Sequence, residues 1–215
     1  MAKIKQGILG GFSGKVASLV GTSWKGRAVM KSLPLSVANP RTESQVGQRN
    51  KFSKVAELAS QILTQFVQPV ENPISGNISG YNLFCKDNKT AFDAVGDLVP
   101  ANLCAGGGKI INLETPSVFV DTVNSELDLS WMNSVDLSAL RKTDNVFAFA
   151  LREDDLALFL LKAAATRNDE NAVLAPVDRS TTISVGDKFA VVYACVSADG
   201  RDVSVKTFAR EQTAA

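Results

Sequence analysis

The charged residues of this chain are segregated along its length, and this segregation limits how the chain can fold. Residues 1–55 contain ten Lys and Arg against a single acid, Glu43, whereas the remaining residues contain 13 bases and 21 acids. The formal net charge of +1 therefore conceals a basic N-terminal arm joined to an acidic body. Such an asymmetry is typical of an interaction element that binds nucleic acid or a complementary protein surface.

The composition is that of a globular protein with a core. Hydrophobic residues make up 45% and charged residues 21% of the 215 positions. No apolar stretch approaches the roughly 18–20 residues of a membrane span, so we expect no membrane partner. The first 15 residues lack the apolar core and cleavage site of a signal peptide. Cys85, Cys104 and Cys195 are odd in number and widely spaced, which predicts buried or half-buried free thiols in a reducing compartment.

The sequence of the arm, residues 1–40, predicts a basic glycine-rich hairpin. Two β-like runs, 15–20 and 24–33, flank Gly21-Thr22-Ser23, which has the composition of a three-residue loop. An isolated two-stranded ribbon is marginal in water. We therefore expect the arm to pack on another subunit or on the body.

Residues 41–104 predict a helical segment. After the linker between Pro34 and Pro40, Thr42 and Gln45 have the spacing of a capping box, and the helix is expected to end near residue 67, before Pro69. Its apolar stripe is expected to contain Val46, Phe52, Val55, Ala59, Ile62, Leu63 and Phe66. A second helix is predicted over about 78–95, with Gly96 as its stop and with an apolar face of Tyr81, Phe84, Phe92 and Val95.

Beyond a glycine-rich hinge at 105–108 the hydrophobic pattern changes to period two. Strands are predicted at 117–122, 127–132, 145–151, 157–163, 181–185, 188–196 and 203–208. Seven short strands separated by turns predict that 109–215 is an antiparallel β-sandwich of the immunoglobulin or fibronectin class. The run ending in Trp131 and the hairpin containing Tyr193 resemble an early strand and the late hairpin of fibronectin-type modules. The fold class is therefore α+β, mainly β.

The residues do not suggest a reaction. The chain contains no histidine, and its three cysteines form no CxxC pair, so we predict no enzyme, no metal site and no cofactor. Gly14-Lys15 fails the phosphate-loop pattern, because Leu9 stands where the first glycine is required. The acidic runs 153–155 and 169–170 fall in predicted turns, where such charges are usually solvated.

The arm has three interpretations. It could cross onto a neighbouring subunit, neutralise phosphates of DNA or RNA, or fold back over its own acidic body. The opposite charges of arm and body favour a protein contact and a homo-oligomer, because one copy carries both halves of the interface. The residues predicted to make the contact are Lys15, Trp24, Lys25, Arg27, Lys31, Arg41, Arg49 and Lys51.

These motifs resemble an uncharacterised protein family of Bacteroidota genomes and their phages. The resemblance is carried by KIKQGILGGFSGKV at 3–16, GTSWKG at 21–26, NPRT at 39–42, Gln45 and RNKF at 49–52. A wider set of phage and prophage proteins shares Gly26, KSLP at 31–34, NPRT, Gln45, Arg49 and Phe52. The resemblance implies a virion component, such as a capsid-decorating, neck or tail protein, located in the virion or in the cytoplasm of the bacterial host. Its partners would be copies of itself or other virion subunits.

Overall fold

The computed structural model describes residues 3–4, 11–24, 27–36, 38–132 and 142–214. The chain divides into two compact units, Met1–Arg41 and Thr42–Ala215. Within the described ranges the fold is mainly β, with three α-helices and one near-closed sheet. No helix of these ranges is both long enough and apolar enough to cross a membrane.

The N-terminal unit is a four-stranded antiparallel sheet. Its strands are β1 (Lys3–Ile4), β2 (Phe12–Val16), β3 (Leu19–Trp24) and β4 (Arg27–Ser32), paired in that order.

The predicted loop at 21–23 is wrong, because these residues lie inside β3. The chain reverses instead at Ala17 and Ser18, where Ala17 has a φ of +48°. Gly21 is required by packing, since a Cβ there would lie 2.6 Å from the Phe12 ring.

The first helix, α1 (Glu43–Gln61), starts where the sequence predicts. Thr42 occupies the N-cap position in an extended conformation, and its carbonyl accepts the first helical bond from the Val46 N–H. The capping box itself is not formed, because the Thr42 side chain makes no capping hydrogen bond. The pattern therefore located the start of the helix correctly but not the bond that caps it.

The predicted end of this helix is wrong. The chain continues through a π-helical turn (Leu63–Val67) into α2 (Gln68–Glu71) and a 3₁₀ turn (Asn72–Ile74). Pro69 lies at the start of α2 and is accommodated there, because the π turn interrupts the α-helical hydrogen-bond series that its missing N–H would break.

The second predicted helix is shorter than expected. α3 (Gly80–Asp87) begins after Ser79, whose side chain accepts a bond from the Asn82 N–H, and ends at Asn88. The buried Asn88 amide pairs with the backbone of Cys104 at 2.8 and 2.9 Å. This pairing holds the C-terminal end of α3 against β5, so the helix cannot extend to residue 95.

The strands of the second unit form one large sheet and a separate two-stranded sheet. In chain order they are β5 (Cys104–Ala105), β6 (Glu114–Asp121), β7 (Glu126–Met132), β8 (Asn145–Arg152), β9 (Leu158–Leu161), β10 (Ala165–Thr166), β11 (Asn171–Pro176), β12 (Lys188–Val196), β13 (Thr207–Phe208) and β14 (Arg210–Thr213). The sheet order is β14-β12-β8-β9-β11-β7-β6, with β10 on β8, while β13 pairs with β5. Arg210 donates to the Pro116 carbonyl and so links the two ends of the sheet.

Five of the seven predicted strands are present as β6, β7, β8, β9 and β12. The segment 181–185 is not a strand, because Asp187 accepts a hydrogen bond from the Ser184 N–H and holds a turn, which leaves Val185 75% exposed. The segment 203–208 supplies only β13 and isolated bridges. β5, β10, β11 and β14 were not predicted.

Two apolar clusters stabilise this unit. One lies inside the curved sheet and contains Trp131, Phe159 and Phe189. The other lies between the helices and the opposite side of β8 and β12, where the rings of Phe66 and Phe149 meet edge to face at 4.7 Å. Burial of each such ring contributes about 1.5–3 kcal/mol. The helices are therefore fixed to the sheet as one body.

Candidate interaction surface

Strand pairing sorts the side chains of the N-terminal sheet onto two different faces. Residues directly opposite in antiparallel strands share a face, and successive residues along a strand alternate between faces. Lys15 is opposite Val20, and Val20 is opposite Lys31, so the two lysines flank Val20 at about 10 Å across the sheet. Arg27 lies four residues from Lys31 in β4 and therefore shares their face.

We call this side the basic face. Its described members are Ser13, Lys15, Val20, Thr22, Arg27, Val29 and Lys31. Lys15, Arg27 and Lys31 are all exposed, and residues 1–41 contain no Asp or Glu that could neutralise them within the unit. The face therefore presents three like charges around a strip of β-branched residues.

The opposite side is an apolar face. Its larger members are Phe12, Val16, Leu19, Ala28 and Met30. Phe12 is half-buried over Gly21, but Val16 is 50%, Leu19 44% and Met30 67% exposed. Contiguous apolar side chains on a small sheet are typical of a surface that another protein surface covers.

The remaining predicted contact residues are not among the described members of the basic face. Trp24 lies in β3, where its backbone pairs with Arg27, but its side chain and the whole of Lys25 lie outside the described residues. Arg41 is exposed at the end of the N-terminal unit, whereas Arg49 and Lys51 lie on α1 in the second unit. The structure thus brings together three of the eight residues.

Part of the predicted apolar stripe of α1 is exposed. Phe52 is 61% and Val46 39% exposed, whereas Val55 and Leu58 are buried. Gly47 accounts for the difference, because its lack of a side chain lets the helix approach Ala94, whose Cβ would lie 3.0 Å from a Cβ at position 47. The pattern of apolar residues alone could not show that the side of α1 containing Gly47 is the buried one.

The acidic runs are engaged in structural bonds. Asp155 receives two hydrogen bonds from Arg152, at 2.9 and 2.6 Å, which lower the pKa of Asp155. Asp169 accepts from the backbone and hydroxyl of Thr166, and these bonds lower the pKa of Asp169. Across the described ranges, no three His, Cys, Asp or Glu side chains are grouped so that they could hold a metal ion.

Together these features define a β-rich protein with a separate amphipathic N-terminal sheet. The chain belongs to a family of unknown function, DUF6266, whose family model matches residues 11–209. A comparison with curated protein sequences found no match.

Proposed function

We propose that this chain is a non-enzymatic assembly protein whose N-terminal sheet makes contacts between subunits. The observation that carries the proposal is the apolar face, which exposes Val16, Leu19 and Met30. Covering the exposed parts of these three side chains would contribute about 2–4 kcal/mol. Among the described residues of this sheet no apolar side chain is fully buried, so such a contact would supply much of its stability.

The proposed setting is a homo-oligomer within a phage or prophage virion, where the chain would serve as a capsid-decorating, neck or tail protein. This setting is supported by the resemblance of residues 3–52, and the assembly role is supported by the sheet. Both the virion location and the identity of further virion partners belong to the proposal.

We also propose that the second unit is related to immunoglobulin-like sandwiches. When β6, β7, β8, β9, β11, β12 and β14 are lettered A to G in chain order, the sheet runs A-B-E-D and then C-F-G. These are the strand orders of the two sheets of an immunoglobulin constant-type domain. Here the pairing of β9 with β8 joins the two halves into one near-closed sheet.

The assembly role is tested by a triple substitution in the full chain, Val16→Thr, Leu19→Thr and Met30→Thr. Threonine keeps the preference for β structure but weakens the apolar contact. We expect the oligomer mass, measured by sedimentation over a range of concentrations, to fall relative to wild type. A matched control changes the exposed Val95, Val177 and Val185 to Thr. A wild-type monomer, or equal masses in both variants, would contradict the proposal.

Nucleic-acid binding is the second candidate, and the basic face is the observation that favours it. Three phosphate contacts predict that affinity for duplex DNA falls about 40-fold between 50 and 200 mM salt. The test is the binding of labelled duplex and single-stranded DNA by wild type and by a Lys15→Glu, Lys31→Glu variant. Steep salt dependence that the variant abolishes would favour this candidate over assembly.

A further inference from the structure

The hairpin formed by β6 and β7 carries charge of one sign. Residues 114–132 contain four acids, Glu114, Asp121, Glu126 and Asp128, and no Lys or Arg. The inward positions of the hairpin are taken by buried apolar residues such as Val120 and Leu127. Because side chains alternate along a strand, Asp121, Glu126 and Asp128 lie on the outward side. An irregularity between Glu114 and Ser117 places the exposed Glu114 opposite Met132, which also faces outward.

Strand pairing groups Asp121, Glu126 and Asp128 near the turn of the hairpin, whereas Glu114 lies at its other end. Asp121 is opposite Glu126, Phe119 is opposite Asp128, and Glu114 is opposite Met132. We call these residues the acidic face. Lys162 binds Glu126 at 2.8 Å and offsets one of the four charges. Asn124 donates to Asp121 and lowers the pKa of that carboxyl, so Asp121 is ionised at neutral pH.

The acidic face also has an apolar centre. Phe119 is 67% and Met132 69% exposed, although both belong to well-formed strands. Phe119 in β6, Asp128 in β7 and Val173 in β11 are paired side by side across the three strands, so Val173 adds a further apolar side chain beside Asp128. Exposed aromatic side chains surrounded by charged groups are typical anchors of protein interfaces.

We propose that the basic face of one copy docks on the acidic face of a second copy of this chain. This inference rests on the proposed assembly function and names the partner surface. Both faces span three antiparallel strands, with charges of opposite sign around apolar side chains. Val20 and Val29 would contact the Phe119 region, while Lys15, Arg27 and Lys31 would approach Glu114, Asp121 and Asp128.

The charge distribution favours a second copy as the partner. Every copy carries one face of each sign, so a single kind of contact satisfies both surfaces. Such a contact is head-to-tail, and repeated contacts generate a closed ring or an open chain rather than a two-fold dimer. The docked faces are only about 14 Å wide, three strand spacings, so the contact is smaller than a standard interface and sensitive to salt.

The test uses two charge-reversed versions of the full chain. One carries Lys15→Glu and Lys31→Glu, and the other carries Glu114→Lys and Asp128→Lys. Within the part of the chain that the structure describes, Glu114 and Asp128 make no hydrogen bond or ion pair that would hold the hairpin itself. Circular dichroism verifies that both variants fold. We expect each variant alone to associate at least about tenfold more weakly than wild type, because each places like charges against like.

Mixing the two variants separates a contact between copies from a contact within one copy. The mixture contains one normal basic face and one normal acidic face on different molecules, so we expect association to return. If the contact were within a single chain, the mixture would behave as the sum of its parts, and the inference would be wrong. Matched controls reverse the exposed Lys86 and Lys89, or the exposed Asp154 and Asp202, and should associate as wild type does.

The outcomes also distinguish this inference from the proposed function. If wild type associates through the apolar face but both charge-reversed variants associate equally well, assembly stands and this partner surface is wrong. If only Lys15→Glu, Lys31→Glu weakens association, the basic face contacts another surface. If wild type is a monomer at every concentration, both the assembly function and its partner surface are overturned.

Discussion

The carboxyl group of Glu71 accepts a hydrogen bond from the backbone N–H of Gly106 at 3.1 Å, 35 residues away in the sequence. Glu71 ends α2 and is only 2% exposed, and Gly106 follows β5 in a left-handed conformation with a φ of +78°. Burial raises the pKa of Glu71 to about 7 against the opposing effect of the Gly106 bond. Asp87 raises this pKa further, and Lys206 lowers it.

The burial of Glu71 predicts that stability falls as the pH rises from 5 to 8. The folded protein holds the proton on Glu71 more tightly than the unfolded chain does. The contribution of protonated Glu71 to the free energy of unfolding is therefore fully present below about pH 4.5 and is lost as the pH rises through about 7. The loss in free energy of unfolding is up to about 3 kcal/mol. Urea unfolding at pH 5 and pH 8 measures it.

The variant Glu71→Gln isolates the contribution of this one group. Its amide oxygen can still accept from Gly106 but cannot ionise, so the variant should lose much less stability between pH 5 and 8 than wild type. The absence of histidine simplifies the comparison, because few other side chains titrate in this range. Equal pH dependence in both proteins would show that Glu71 does not titrate there.

We expect substitution of Arg152 alone to lower the stability of the protein strongly. Its guanidinium binds Asp155, Asp187 at 2.9 Å and the Thr182 carbonyl at 2.7 Å, with 14% of the side chain exposed. Arg152→Ala should lower the free energy of unfolding by about 2–3 kcal/mol, because it leaves the partly buried Asp187 without this cation. Thermal unfolding measures the change, and the exposed Arg201→Ala should alter stability by less than about 0.5 kcal/mol.

The N-terminal sheet should be sensitive to a single methyl group at Gly21. A Cβ at this position collides with the Phe12 carbonyl and approaches the Phe12 ring to 2.6 Å. Gly21→Ala should therefore disrupt the pairing of β2 with β3 and reduce the oligomer mass. Ser23→Ala in the same strand is the control. Because the second unit has its own core, its unfolding temperature should not change, and a lower temperature would contradict this account.

The thiols should be unreactive in the native protein. Cys85, Cys104 and Cys195 are free and buried, which the odd and widely spaced cysteines of the sequence predicted. Burial raises the pKa of all three thiols, that of Cys195 to about 11. We expect slow reaction with a disulfide reagent at pH 8 and three rapid reactions in urea. Fast labelling of Cys195 in the native protein would show that its site opens.

Much of the sheet was predictable from its apolar pattern. β7 alternates between buried and more exposed residues, whereas β8, β9 and β12 are nearly continuous apolar runs, because β8 and β12 contribute side chains to both apolar clusters. Trp131 and Tyr193 are both buried. β11 was not predictable from local sequence, because it begins with Asn171 and ends with Pro176. Its pairing with both β7 and β9 supplies the strand order that local composition does not encode.

The candidate surface was predictable in composition but not in geometry. A loop at 21–23 would have paired the runs on either side of it directly, whereas β3 instead lies between β2 and β4. Only that arrangement places Val20 between Lys15 and Lys31 on one face. The loop was predicted because glycine is common in turns. In the structure Gly21 lies within a strand, where a side chain would collide with the Phe12 ring.

The most direct test of the account is hydrogen exchange of the full chain, measured by mass spectrometry at low and high protein concentration. If the N-terminal sheet is an assembly element, peptides covering residues 12–32 should exchange more slowly as the oligomer forms. Peptides covering 114–132 should follow them if the acidic face is the partner surface. An increase in mass that leaves the exchange of 12–32 unchanged would contradict the central claim.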